Sequence, residues 1–78
     1  MQFQSLLTQT RKSRGLSLEA VARIVGTDPT NLSRVEKGDQ SPKRELARSI
    51  FEFYDGRVPL AAIYDPQYFA EKPEAARG

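Results

Sequence analysis

Apolar residues recur along this chain at the three- and four-residue spacing of helices, and polar start and stop signals fall between the runs. Phe3, Leu6, Leu7 and Thr10 repeat along one side of a first segment over residues 2–14, and Gly15 is placed to end it as a left-handed cap. Arg11, Lys12 and Arg14 fall in its last turn, where cations suit the negative end of the helix dipole. Ser17 reads as the N-cap of a second helix, with Glu19 in its first turn. Leu18, Val21, Ala22 and Val25 then share an arc of about 100°, with Ile24 at its border. Ala22 is small enough to let another helix approach, and Gly26 supplies the stop and the permissive backbone of a sharp turn.

Asp28-Pro29 is the clearest start signal: the carboxylate caps free N–H groups, and proline suits the first helical position. The third helix is predicted from Pro29 to Lys37, closed by Gly38. Pro29, Thr30, Ser33, Arg34 and Lys37 span an arc of about 140°, while Leu32 and Val35 point the other way. The outward face therefore holds two hydroxyls, a guanidinium and an ammonium, and no carboxylate. Ser41-Pro42 repeats the cap-then-proline signal and predicts a fourth helix to Tyr54, with Leu46, Ile50 and Phe53 on one side and Ala47 and Tyr54 flanking. Residues 57–69 predict a short fifth helix starting near Pro59 and carrying Val58, Leu60, Ile63 and Tyr64, with a strand behind a Tyr54-Asp55-Gly56 hairpin turn as the alternative. Tyr64, Tyr68 and Phe69, with Val58 and Ile63, form either a cap on the bundle or a dimer surface. Residues 70–78 carry no apolar period and read as a flexible tail. The pattern as a whole predicts an all-α fold.

Seventy-eight residues make one small domain. The chain has no cysteine and no histidine. It thus lacks a disulfide framework, a thiolate metal site, the commonest general base and the commonest zinc ligand. It also offers no glycine-rich phosphate loop and no carboxylate dyad, so the expectation is a protein without catalysis, cofactor, metal or small-molecule ligand. The start, MQFQSLLTQT, lacks the basic and apolar regions of a secretion signal, and no apolar run reaches the roughly 20 residues of a membrane span. A cytoplasmic protein away from membranes is expected. Charge is divided unevenly. Residues 1–44 hold eight Lys/Arg against four Asp/Glu, an excess of +4, and residues 45–78 hold four against six, an excess of −2. The basic half is the half with the two-helix pattern, which suits a polyanion there.

These residues resemble the Cro/repressor-type helix-turn-helix family (lambda-repressor-like, XRE-type). The shared pattern runs Arg11…Gly15-Leu-Ser/Thr…Val21-Ala22…Gly26…Leu32-Ser-Arg-Val/Ile-Glu36-x-Gly38…Pro42 and covers about residues 3–64. The resemblance implies a compact five-helix bundle: a DNA-binding domain over residues 1–69, its helix-turn-helix unit over 17–38, and the tail beyond. It implies an ion pair between Arg11 and Glu36 across the first and third helices. It places Pro29, Thr30, Ser33 and Arg34 against bases, with Arg34 able to reach guanine O6 and N7. It places Ser17, Leu18, Asn31, Lys37, Ser41, Lys43 and Arg44 against phosphates. Pro29 stands where many members have a glutamine that reads adenine, and Leu18 where a phosphate-contacting glutamine is common, so specificity is expected to lean on Arg34 and on DNA shape.

The function implied is a transcriptional regulator of phage, plasmid or mobile-element type, a repressor that binds double-stranded operator DNA as a homodimer. A restriction–modification controller is a subtype of the same reading. A protein-interaction module such as an antitoxin or adaptor is the alternative from another class.

Overall fold

The computed structural model describes residues 4–66. Five helices follow one another: α1 (Leu6–Ser13), α2 (Leu18–Val25), α3 (Pro29–Lys37), α4 (Arg44–Phe53) and α5 (Leu60–Tyr64). No strand occurs among the described residues, so the helical reading of residues 57–64 stands and the hairpin alternative falls. Tyr68, Phe69 and the tail over residues 70–78 lie outside the described residues.

Local chemistry sets the first three helix starts. The Ser5 hydroxyl accepts from the Thr8 N–H at 3.2 Å, the Ser17 hydroxyl from the Ala20 N–H at 3.1 Å, and the Asp28 carboxylate from the Asn31 N–H at 2.7 Å. Each satisfies one of the N–H groups that a helix leaves unpaired at its start. α1 therefore begins at Leu6, later than the apolar period suggests, because Ser5 captures the first turn. Between α2 and α3 the chain must reverse within three residues. Gly26 adopts φ +90°, and the Thr27 N–H reaches back to the Ala22 carbonyl at 2.8 Å. A side chain at that left-handed φ costs about 1–2 kcal/mol, which accounts for glycine there.

The fourth helix departs from expectation. It begins at Arg44 with Lys43 as its cap residue and has no side-chain cap hydrogen bond. Ser41 and Pro42 do not open it: the chain stays non-helical through Lys43 and seats the Pro42 ring in a buried position. A local start signal loses here to burial of an apolar ring.

The core draws on every helix. It gathers Leu7 from α1, Val21, Ala22 and Val25 from α2, Leu32 and Val35 from α3, Ala47 and Ile50 from α4, and Ala62 and Ile63 from α5, with Tyr54 and Val58 from the connection between the last two. α2 packs chiefly on α3 and also on α4, while α5 closes the bundle against α4, α1 and α3. On α4 the deep positions are Ala47 and Ile50, followed by Tyr54. Leu46 and Phe53, expected on the buried side, are half-exposed at its flanks. Val58 and Ile63 are fully buried, which corrects their place in the expected dimer surface: inside one subunit's core they cannot meet a second subunit. Leu60 and Tyr64 are the large apolar α5 residues left open, at 44% and 42% exposure, with Ala61 exposed between them.

Tyr54 fills the junction of α1 and α4. Arg14 lies over its ring at 5.3 Å, and Phe53 meets it edge-on with centroids 4.9 Å apart. Its hydroxyl is buried and makes no hydrogen bond among the described residues. Burial pushes this phenol up to about 12, aided by the Glu36 carboxylate and opposed by Arg11 and Arg14. An acid whose native pKa is raised stabilises the fold fully below its unfolded value of about 10 and loses that contribution as pH climbs towards the native one. Urea unfolding of wild type and Tyr54→Phe at pH 8 to 12 should show the difference. Wild type loses stability over the upper two units more steeply than Tyr54→Phe, and the two stay close below pH 9.

Candidate nucleic-acid interface

α3 is fixed about its own axis by what it buries. Leu32, Val35 and Glu36 face inwards, with Glu36 only 3% exposed. Leu32 and Val35 join the apolar core, and Glu36 needs a charged partner. Arg11 supplies it. Its Nε donates to Glu36 Oε2 at 2.9 Å and its Nη2 to Oε1 at 3.3 Å, a two-point pairing of planar groups. Arg11 Nη1 donates to the Leu16 carbonyl at 2.9 Å, and the Thr8 hydroxyl donates to Glu36 Oε1 at 2.9 Å. The Ser5 hydroxyl in turn donates to Thr8 Oγ1 at 3.2 Å. α1, the turn before α2, and α3 are thus tied through one buried pair.

With Leu32 and Val35 in the core and Glu36 buried at its border, the remaining side of α3 faces solvent. Pro29, Thr30 and Arg34 are exposed, and Ser33 is half-exposed. These four meet Leu18 of α2 and Lys37 in one shallow depression about 420 Å³ in volume. The base-facing set implied by the sequence is therefore brought together on one open face. Asp39 lines the same depression. The face expected to be free of carboxylates thus has one at its rim, delivered by the loop after α3. Helical angles taken along α3 alone give no sign of it.

The phosphate-facing set divides. Ser17 is exposed at the start of α2, where its Oγ already accepts from the Ala20 N–H and its O–H proton remains able to donate. Leu18 is half-exposed and apolar, so it offers a phosphate only its backbone N–H at the helix start. Ser41, Lys43 and Arg44 are all exposed around the start of α4, where the helix dipole disfavours cations and an anion would relieve them. Ser41 and Lys43 share a second cleft with Asn31, Thr27 and Gln40. Asn31 is only half-exposed. Its amide donates to Thr27 Oγ1 at 2.8 Å and its carbonyl oxygen accepts from Gln40 Nε2.

Two neighbours of the face were not singled out by the sequence. Gln4 and Lys12 line a depression continuous with the first, sharing Leu18, Ser33 and Lys37 with it. Lys12 reads in the sequence as a dipole-matched cation of the last turn of α1. Its approach to α3 depends on how the two helices cross.

This geometry defines a helix-turn-helix module: two short helices joined by a tight turn, the second buried on one side and open on the other. A family model described as a helix-turn-helix domain matches residues 2–61. The chain belongs to the helix-turn-helix family, in its XRE-type, Cro/repressor-like branch. It is similar to the cryptic phage CTXphi transcriptional repressor RstR of Vibrio cholerae, 36% identical over 61 residues that make up 78% of this chain and 53% of that protein. The chain therefore spans about half the length of the curated relative it matches. No solved structure matches it.

The buried pair yields a quantitative expectation. Arg11→Met or Glu36→Leu alone strands one buried charge and costs about 3–5 kcal/mol, whereas the double substitution recovers most of that loss. Chemical denaturation of the three variants measures the coupling, and additive losses would contradict it.

Proposed function

We propose that this protein is a sequence-specific DNA-binding transcriptional regulator that acts as a repressor. The observation that carries this reading is the open side of α3, where Thr30, Ser33 and Arg34 line one shallow depression with Leu18 while Glu36 is held by Arg11 at the border of the core. A helix so presented matches a major-groove reader in width and chemistry. Similarity to a phage transcriptional repressor supports the direction of control and an origin in a phage, plasmid or other mobile element.

In this reading Pro29, Thr30, Ser33 and Arg34 face bases. Arg34 gives guanine two hydrogen bonds, the hydroxyls take base edges or phosphate, and Pro29 packs on a thymine methyl or sugar. Ser17, the Leu18 backbone, Lys37, Ser41, Lys43 and Arg44 hold the phosphates on either side. The protein binds and does not catalyse, works in the cytoplasm where the DNA lies, and blocks polymerase by occupying an operator. The domain extends over residues 1–69. No helix among the described residues is long and apolar enough to cross a membrane.

A homodimer on a palindromic operator belongs to the same proposal. The exposed apolar pair Leu60 and Tyr64, one turn apart on α5, supplies a surface for it. Two-fold pairing would set the recognition helices about one DNA turn apart, roughly 34–36 Å.

Selection from a random DNA pool tests the function directly. Wild type should enrich a partly palindromic site with an affinity that falls steeply with salt. Arg34→Ala should relax preference at one base position, a loss of about 1–3 kcal/mol of discrimination. Lys43→Ala should instead weaken binding to all sequences and flatten the salt slope by about one unit. An unchanged preference in Arg34→Ala would remove it as the reading residue. Sedimentation of the Leu60→Ser/Tyr64→Ser variant should show a shift from dimer to monomer, and an undisturbed dimer would move the seam elsewhere.

A further inference from the structure

The half-exposed carboxamide of Asn31 has protein partners at both its nitrogen and its oxygen. Its Nδ2 donates to Thr27 Oγ1 at 2.8 Å and its Oδ1 accepts from Gln40 Nε2. Thr27 belongs to the α2–α3 turn, Asn31 to the first turn of α3, and Gln40 to the α3–α4 loop. One side chain thus joins three consecutive parts of the interface. The Asp28 carboxylate accepts from the Asn31 N–H, so this amide projects from a capped helix start.

The loop it grips has few other restraints. No backbone hydrogen bond among the described residues involves Gln40, Ser41 or Pro42. Gln40, Ser41, Lys43 and Arg44 are exposed, and only the Pro42 ring is buried. A cleft of about 480 Å³ adjoins the loop, bounded by Thr27 and Asn31 on one side and by Lys43 and Leu46 on the other. An ungripped loop has room to move there. α4 does not prevent this, since its first turn lacks a side-chain cap.

We infer that Asn31 is a positioning residue for phosphate binding. By bridging Thr27 and Gln40 it holds the α3–α4 loop where Ser41, Lys43 and Arg44 reach the DNA backbone while α3 reads bases. This inference rests on the DNA-binding function proposed above. It gives Asn31 a role distinct from the direct phosphate contact that the family resemblance implies: one amide N–H and the carbonyl oxygen already serve Thr27 and Gln40. The two roles differ in salt dependence. A neutral amide on a phosphate releases no condensed counterion, so losing it weakens binding at an unchanged salt slope. Losing the bridge lets cations leave the phosphates, and the slope itself falls although the substituted residue is uncharged.

The test uses the full chain and the DNA site selected by wild type. Asn31→Ala should flatten the slope of log affinity against log salt by about one to two units while keeping the base preference set at Arg34. Gln40→Ala, at an exposed position that leaves the core untouched, should have the same effect, and the double variant should add little to either. Without DNA, backbone order parameters from NMR relaxation at Gln40, Ser41 and Lys43 should fall in both single variants while α1 and the middle of α4 keep wild-type values. An unchanged slope, additive losses in the double variant, or unchanged order parameters in the loop would each overturn the positioning role with DNA binding intact. Failure of wild type to select any DNA would instead overturn the functional reading, and the phosphate role of Asn31 with it.

Discussion

The Arg11–Glu36 pair is the constraint on which the rest of the interface depends. Removing a guanidinium and a carboxylate from water costs several kcal/mol for each ion, repaid only when geometry is good and the remaining donors and acceptors find partners. Here they do. Both Glu36 oxygens receive hydrogen bonds from Arg11, Thr8 adds another, and the spare Arg11 nitrogen serves the Leu16 carbonyl. A rotation of α3 by one residue, about 100°, would bring Val35 or Lys37 to the place of Glu36 and part the carboxylate from Arg11. The open, hydroxyl- and cation-bearing side of α3 is thus set by a buried charge at its edge together with Leu32 and Val35 in the core.

Around that fixed rod the molecule uses two kinds of attachment. α2 joins α3 through Gly26, whose left-handed backbone makes the reversal in the fewest residues, and through a capped start at Asp28-Pro29. The α3–α4 loop is joined differently, by the Pro42 ring on one side and the Asn31 amide on the other. Hydrogen bonds to a half-exposed amide are weaker and more readily exchanged than a buried ion pair. The α3–α4 loop is therefore the adjustable part of the surface, and α3 the rigid part.

The far end of the bundle serves packing. Tyr54, Val58, Ala62 and Ile63 close the core, and the buried Tyr54 hydroxyl is kept neutral beside the ion pair. α5 is too short to stand without that burial. Its exposed Leu60 and Tyr64 lie one turn apart, so the element that seals the core also presents apolar surface outwards.

The starts of α2 and α3, the turn between them and the outward side of α3 could be read from the sequence because each depends on residues within one or two turns. Ser17, Gly26, Asp28, Pro29 and the spacing of Leu32 and Val35 act on their immediate neighbours. Elsewhere the deciding contacts were distant ones. The Ser41-Pro42 start signal is real local chemistry, but Pro42 is drawn into a buried site and α4 begins two residues beyond it. Which of Val58, Leu60, Ile63 and Tyr64 are buried depends on the side α5 turns to its neighbours, and five residues carry too short a period to say. Asn31 finds Gln40 nine positions away, and Asp39 joins the recognition face only when the loop folds back. Caps and periodicity are properties of a single segment and are written in its residues, whereas orientation and partnership are relations between segments and exist only after the segments have packed.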